Sequence, residues 1–304
     1  MEKFNHIEHP EDAILTGDLS VLDWFITEGK LSAKIDGSPA IIWGTNPANG
    51  QFFVGTKSVF NKFKIKINHN HSDIDRNHQG KVADILHKCF DYLPFTGCIY
   101  KGDFLGFGGT DSFHPNTVRY SFPTEISQEI VIAPHTRYEA VDDLRNAVAY
   151  PLDEKFEDTD EIKWVQPEAS IVDGFQKISH FNEAVDYARE FATECQFVDE
   201  TKARKIKKVI NTFIREGAVL DSEALSVFAE CDKNLMILWN IVRELKKWFL
   251  KACSNDGDGS KCYIRGQEVD GEGYFLFNKH GAYKLIYRNL FSRYNFTMGV
   301  QRVS

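Results

Sequence analysis

The feature that most constrains this chain is a break in texture. Residues 180–253 hold one glycine, Gly217, and no proline, whereas the chain on either side is punctuated by Gly, Pro and Asn turns. A stretch of that length without helix breakers reads as helical, and strand texture on both sides makes the chain α+β rather than all-α. Amphipathic helices are predicted over 182–195, 199–215, 221–230 and 233–252, with Asn182, Asp199 and Asp221 as N-caps and Gly217 as a stop. The simplest organisation is an antiparallel-sheet core formed by 1–178 and 254–304, carrying a helical insertion at 179–253.

Within that core, residues 1–30 read as a short helical lead-in, capped by Asp18 or Ser20. Ala40–Gly44 and Gln51–Lys57 flank an Asn-Pro-Ala-Asn-Gly turn and read as an antiparallel pair. Apolar residues at 82, 85, 86, 89 and 90 keep the helical period. Strands are expected at 98–105, 129–134, 274–277 and 283–287, and a loop at 254–260.

Composition narrows the function classes. No apolar run approaches the roughly 20 residues of a membrane span, and the amino end does not resemble a signal peptide. Six cysteines without a CxxC pair suit reduced thiols in a cytoplasmic setting. A net charge of −8 argues against wrapping nucleic acid over the whole surface but leaves room for a local basic strip.

Chemistry concentrates in a few short stretches. Lys34-Ile35-Asp36-Gly37 ends a strand and leads through Ser38-Pro39 into the next; alone, it also reads as a strand-edge lysine before an Asp-Gly turn. Phe53-Val54-Gly55-Thr56-Lys57-Ser58 is a strand ending in a small basic cluster. Tyr100-Lys101-Gly102-Asp103-Phe104-Leu105-Gly106 carries a carboxylate among apolar neighbours. Asp270-Gly271-Glu272-Gly273-Tyr274-Phe275 is followed by Tyr283-Lys284-Leu285-Ile286. Taken in order, these stretches resemble the motifs of the covalent nucleotidyltransferase superfamily, the ATP-dependent DNA and RNA ligases and mRNA capping enzymes, and most closely the RNA-ligase branch. The resemblance covers roughly residues 30–135 and 265–290 and leaves the helical block unmatched.

The resemblance implies an adenylation-type sheet core, ATP and Mg²⁺ as cofactors, and transfer of AMP through a lysyl-AMP intermediate to an RNA or DNA 5′-phosphate end. Lys34 takes the place of the nucleophile, Glu272 that of a carboxylate near the metal or the reacting lysine, and Lys284 that of a lysine at the α-phosphate. Asp103 stands at a ribose-contacting position that is usually Glu. Asp36 and Gly37 would shape the turn presenting Lys34, and Lys57 would touch phosphate or nucleic acid. A lysine of pKa about 10.4 is protonated at neutral pH, so Lys57, Lys284, bound metal or desolvation must depress a nucleophilic one.

The chain also departs from the pattern. Pro39 stands where DNA ligases carry Arg, and Ile286, followed by Arg288, stands where RNA ligases often have a second lysine. Only 20 residues follow Lys284, so no OB domain is expected. These departures motivate a second expectation: a catalytically degenerate member acting as a binding or assembly protein, its helical insertion meeting a protein partner. A compact, divergent member also suits a bacteriophage origin and the host cytoplasm.

Other segments have two readings each. Phe113–Phe122 and Ala133–Tyr138, with His135 and Arg137, either line a nucleotide- or strand-binding cleft or pack ordinarily. Lys202, Arg204, Lys205, Lys207 and Lys208 form either a phosphate-contacting strip or a solvated helix face. Asp256 and Asp258 do not begin an EF-hand, because Lys261 and Gln267 fall where Gly and Glu are required. His69, His71 and His78 near Asp73 and Asp75 lack an established metal-ligand spacing. Trp239, Trp248 and Phe249 are expected in the core.

Overall fold

A computed structural model describes residues 7–256 and 259–291, so Asp258 lies outside the described residues. From the amino end come α1 (Pro10–Ala13), α2 (Ser20–Ile26) and β1 (Lys30–Lys34), then β2 (Ala40–Thr45), β3 (Phe52–Gly55), α3 (His71–Asn77) and α4 (Lys81–Tyr92). Next are β4 (Ile99–Phe107), β5 (Thr110–Phe113), β6 (Val118–Ile126), β7 (Ile130–Glu139), β8 (Val148–Pro151), β9 (Ile162–Trp164) and β10 (Glu168–Ile171). Four helices follow: α5 (Ser179–Phe191), α6 (Glu200–Glu216), α7 (Ser222–Ala229) and α8 (Lys233–Leu250). The described chain ends with β11 (Cys253–Asp256), β12 (Lys261–Ile264), β13 (Gln267–Val269), β14 (Gly273–Asn278) and β15 (Gly281–Ile286). The chain is α+β with largely antiparallel sheets.

Two compact units divide it. One comprises, among the described residues, 34–167 and 259–271; the other comprises 7–33, 168–256 and 272–291. In the first unit a sheet of order β3-β2-β4-β7-β8, with β9 added parallel to β7, lies in the same unit as an antiparallel sheet of order β13-β12-β6-β5. Strand alternation gives the larger sheet two different faces. Ile41, Trp43, Tyr100, Phe104, Ile130 and Ile132 pack with Ala83, Ile85, Leu86 and Cys89 of α4, whose 3.6-residue stripe is the one predicted. Each fully buried aliphatic side chain there contributes about 1.5–3 kcal/mol. On the opposite face Ile42, Phe53, Ile99, Val59 and Leu144 form a smaller apolar group, and Val131 and Ala133 of β7 are buried beside the polar side chains that share it.

In the second unit, β1, β14 and β15 form one sheet and β10 pairs with β11. Its core joins Trp24 and Phe25 of α2, Phe181 of α5, Ala203, Ile206, Ile210 and Ile214 of α6, Trp239 and Phe249 of α8, and Leu276 and Leu285 of β14 and β15. The units therefore divide the chain along different lines from the boundaries read at 179–253: the helices share one apolar core with α2 and the β14–β15 hairpin. The expected caps Asp199 and Asp221 accept from Lys202 N and Ala224 N, and Gly217 ends α6 with a left-handed φ of 70°. Asn182 is not a cap. Helix α5 starts at Ser179, because burying Phe181 recruits a further turn upstream. Trp248 is 39% exposed, unlike its neighbours Trp239 and Phe249, because it sits on the flank of the α8 stripe. Residues 254–256, expected in a loop, join Cys253 in β11, since Glu168–Ile171 offers its backbone as a partner.

Candidate functional site

The Lys34–Pro39 segment is held against β4 by backbone contacts. Ser38 N donates to Phe104 O at 2.9 Å and Phe104 N donates to Pro39 O at 3.0 Å. A Cβ on Gly37 would lie 2.6 Å from that same Phe104 carbonyl oxygen, so only glycine permits this approach. Asp36 is then anchored from three directions. Its backbone N–H donates to the Tyr120 hydroxyl at 2.8 Å, Asn116 Nδ2 donates to Oδ2 at 2.7 Å, and Lys34 Nζ sits 3.4 Å from Oδ1. Both side chains are largely withdrawn from water, Lys34 at 12% and Asp36 at 15% exposure.

Register explains what gathers beside them. On β4, Lys101 pairs with Ile42 and Thr136, and Asp103 pairs with Ala40 and Ala133, so both point to the face that the helices do not cover. Between these positions β7 carries one extra residue, His135, opposite the Lys101–Gly102 step. The bulge brings the imidazole to Asp103, with Nε2 3.7 Å from Oδ2 while Nδ1 meets Thr136 Oγ1 at 2.7 Å. Lys57, just beyond β3, is exposed and lies close enough to act electrostatically on Lys101.

The electrostatics follow from this crowding. Burial pushes the Lys101 ammonium down to about 8; Asp103 opposes the shift, while the charges of Lys57 and Lys34 reinforce it. Burial likewise pushes His135 down to about 4, against the attraction of Asp103. Burial alone would raise Asp103, but His135, Lys34 and Lys101 outweigh it and hold the carboxyl at about 2. Near pH 7 the face thus presents an ionised Asp103, a neutral His135 and a lysine within reach of losing its proton. Tyr138 is pushed up to about 12 by burial and by the Asp103 charge.

Of the residues selected from sequence, the first unit assembles Lys34, Asp36, Gly37, Lys57 and Asp103. Glu272 and Lys284 belong to the second unit. There Glu272 is buried, and its carbonyl accepts from Tyr287 N at 3.3 Å. Gly273 has a φ of 140°, and a Cβ on it would meet Leu285 O at 2.0 Å, so the glycine after Glu272 is required by the sheet. Lys284 pairs with Phe275 in β15, on the face opposite that of Tyr283 and Leu285, which face the helical core. Arg288 belongs to neither arrangement; it is buried against Asp12 at 2.9 Å and Asn211 at 2.9 Å. Sequence reasoning assigned no role to Lys101, although period-two alternation alone puts it on the face of Asp103. His135 was singled out, but only the bulge explains its aim. Arg137 pairs across from Tyr100 on the other face and donates to Glu139 at 3.0 Å.

The remaining segments resolve as follows. Phe113, Tyr120 and Phe122 are buried packing residues, with Phe113 and Phe122 rings edge-on at 5.6 Å, while Asn116 and the Tyr120 hydroxyl serve Asp36. On α6, Lys207 is held by Glu8 at 2.7 and 2.8 Å, whereas Arg204, Lys205 and Lys208 are exposed. His69 meets the Phe52 carbonyl at 2.8 Å, His71 stacks on His87, and burial lowers the pKa of His78. Among the described residues no group of three or more His, Cys, Asp or Glu is arranged around a metal. No described helix is long and apolar enough to cross a membrane. Clefts of about 510 and 400 Å³ occur in the second unit, and neither is lined by a motif-matched residue.

A protein-family match covers residues 4–231 and 223–299; the family is described as one of unknown function, DUF6267. No curated protein and no solved structure matches the chain.

Proposed function

This chain belongs to the DUF6267 family, and from its own residues we propose that it is an ATP-dependent nucleotidyltransferase that carries AMP on Lys34 and passes it to a nucleic-acid 5′-phosphate. The observation that supports this reading is the polar face of the first unit, where Lys34, Lys57 and Lys101 gather around Asp36 and Asp103 beside a buried His135. Three cations against two carboxylates leave a net positive surface, suited to a triphosphate.

In the proposed step Lys34 Nζ, as the free amine, forms a P–N bond to the α-phosphorus. The α–β phosphoanhydride P–O bond breaks, pyrophosphate leaves with its electron pair, and the proton displaced from Nζ as the P–N bond forms passes to solvent. Burial, reinforced by the charges of Lys57 and Lys34, depresses the ammonium of Lys101 beside it, and Asp36 orients the Lys34 side chain. Lys57 and Lys101 then counter charge on the phosphates. Asp103, ionised, is suited to a ribose hydroxyl or, with Asp36, to a hard cation. Asp103 and Asp36 would hold Mg²⁺, which would supply charge neutralisation on the substrate phosphates.

A specific observation favours a second reading. The 3.4 Å Lys34–Asp36 pair favours a charged lysine, as a nucleotide-binding or assembly protein without turnover would have it. Incubation with α-labelled ATP and Mg²⁺ separates the two. The first reading expects label on the protein that disappears in Lys34→Ala; nucleotide binding without any covalent label would establish the second.

A further inference from the structure

A loop on the rim of the same unit has chemistry of its own. Between Asp36 and Asp73 the chain contains no acidic residue, yet it carries Lys57, Lys62, Lys64 and Lys66 in a protein whose net charge is −8. The loop leaves β3, the edge strand of the large sheet, and is closed at its base. Val54 and Asn68 exchange backbone hydrogen bonds at 3.0 and 3.2 Å, the buried Asn68 side chain donates to Val54 O at 2.8 Å, and Lys66 N donates to Ser58 O at 3.2 Å. Lys66 is committed to this base, with Nζ donating to Asn77 O at 2.6 Å. At the tip, Asn61 Oδ1 accepts from the backbone N–H groups of both Phe63 and Lys64 at 2.9 Å, which shapes the turn. That turn holds Phe63 out at 95% exposure between Lys62 and Lys64, and neither lysine has an ion-pair partner among the described residues.

We propose that this tip is a docking element for single-stranded nucleic acid, with Phe63 stacking on an unpaired base and Lys62 and Lys64 neutralising the flanking phosphates. A single projecting ring between two uncompensated cations fits one base and its phosphates. A lipid surface would call for a broader apolar insertion, and Ile65, the other apolar residue at the tip, is only 40% exposed. A duplex is disfavoured because its bases are already stacked. The assignment of this strand as the acceptor rests on the nucleotidyl-transfer reading; the binding itself does not.

The test is fluorescence anisotropy of a labelled oligouridylate with the full chain, titrated across a salt series. Phe63→Ala is expected to weaken binding on the order of tenfold with the salt slope unchanged, and Phe63→Trp to retain it. Lys62→Ala combined with Lys64→Ala is expected to flatten the slope of log K against log salt by about 1.4. Melting temperatures should stay at the wild-type value, since the tip is solvated. Binding by these variants that matches wild type, or no binding by wild type, overturns the proposal. So does loop-dependent binding to phosphatidylserine vesicles without binding to the oligouridylate. Loop-dependent binding in a protein that never labels with ATP supports the docking element and removes the transfer reading instead.

Discussion

Two clusters of charged residues among those described are built on opposite principles. In the second unit Glu11 and Asp12 of α1 meet Lys246 of α8 and Arg288, all buried. Lys246 binds Glu11, Arg288 reaches Glu11 at 3.5 Å and Asp12 at 2.9 Å, and Trp239 Nε1 donates to Asp12 at 3.0 Å. Two anions meet two cations, so the charges balance. In the first unit Lys34 and Lys101 face Asp36 and Asp103, the exposed Lys57 adds a surplus cation that acts on Lys101, and His135 is held neutral. The balanced cluster ties the ends of the second unit to its helices. The unbalanced one holds Lys101 in a state that the protein would lower its energy by relieving, as expected where an anionic ligand completes the site.

The difference predicts opposite signs for similar substitutions. Lys246→Ala leaves the buried Glu11 with only its 3.5 Å contact to Arg288 and should cost about 3–5 kcal/mol in urea unfolding. Replacing Lys246 and Glu11 together by apolar residues of similar size should recover most of that loss. A Lys246→Ala variant as stable as wild type would contradict the balanced-network account.

The next largest effect is on acid stability. His135 has a folded pKa of about 4, below its ordinary 6.5. Stability from the neutral ring is therefore complete above about pH 6.5 and is lost as pH falls towards about 4, by up to about 3 kcal/mol. Asp103, held at about 2, adds a separate loss between about pH 4 and 2. The urea midpoint of His135→Phe should be flatter than wild type between pH 6.5 and 4; an identical profile would show that the ring is solvated.

Gly37→Ala tests the close approach to β4. The added methyl must displace the Phe104 carbonyl or the Asp36 turn, at about 1–3 kcal/mol, and nucleotide binding should weaken along with stability. The smallest effect has the reverse sign. Lys101→Met removes a partly buried, repelled cation and should raise stability by about 1–2 kcal/mol at pH 7, less than a fully buried charge would give. Wild type should close that gap as pH rises from about 8 through 10.5, the range in which Lys101 is neutral only in the folded state. A destabilised Lys101→Met would mean that the lysine is as well compensated as Lys246.

The same contrast marks how far the sequence could be read. Helices α4, α6, α7 and α8 and the β2–β3 and β14–β15 pairs were legible because periodicity and turn chemistry are local. Lys34, Asp36, Gly37 and Asp103 stood out only through the order of the motifs that carry the resemblance, since Lys-Ile-Asp-Gly alone also reads as a strand edge and turn. Lys101 has no assigned role and His135 two open readings, because strand pairing and a one-residue bulge decide which face they share, and pairing is set by residues elsewhere in the chain. The shared core of α2, the four long helices and β14–β15 was hidden for the same reason: its contacts join residues more than two hundred positions apart. Arg288, noted only as following the departing Ile286, is revealed by packing alone as a partner of Asp12.

Peptide mapping by mass spectrometry, after incubation of the full chain with ATP and Mg²⁺, tests the central claim most directly. The account predicts one AMP adduct on the peptide containing Lys34, abolished in Lys34→Ala. An unmodified protein, or an adduct that persists on another residue when Lys34 is replaced, would contradict it.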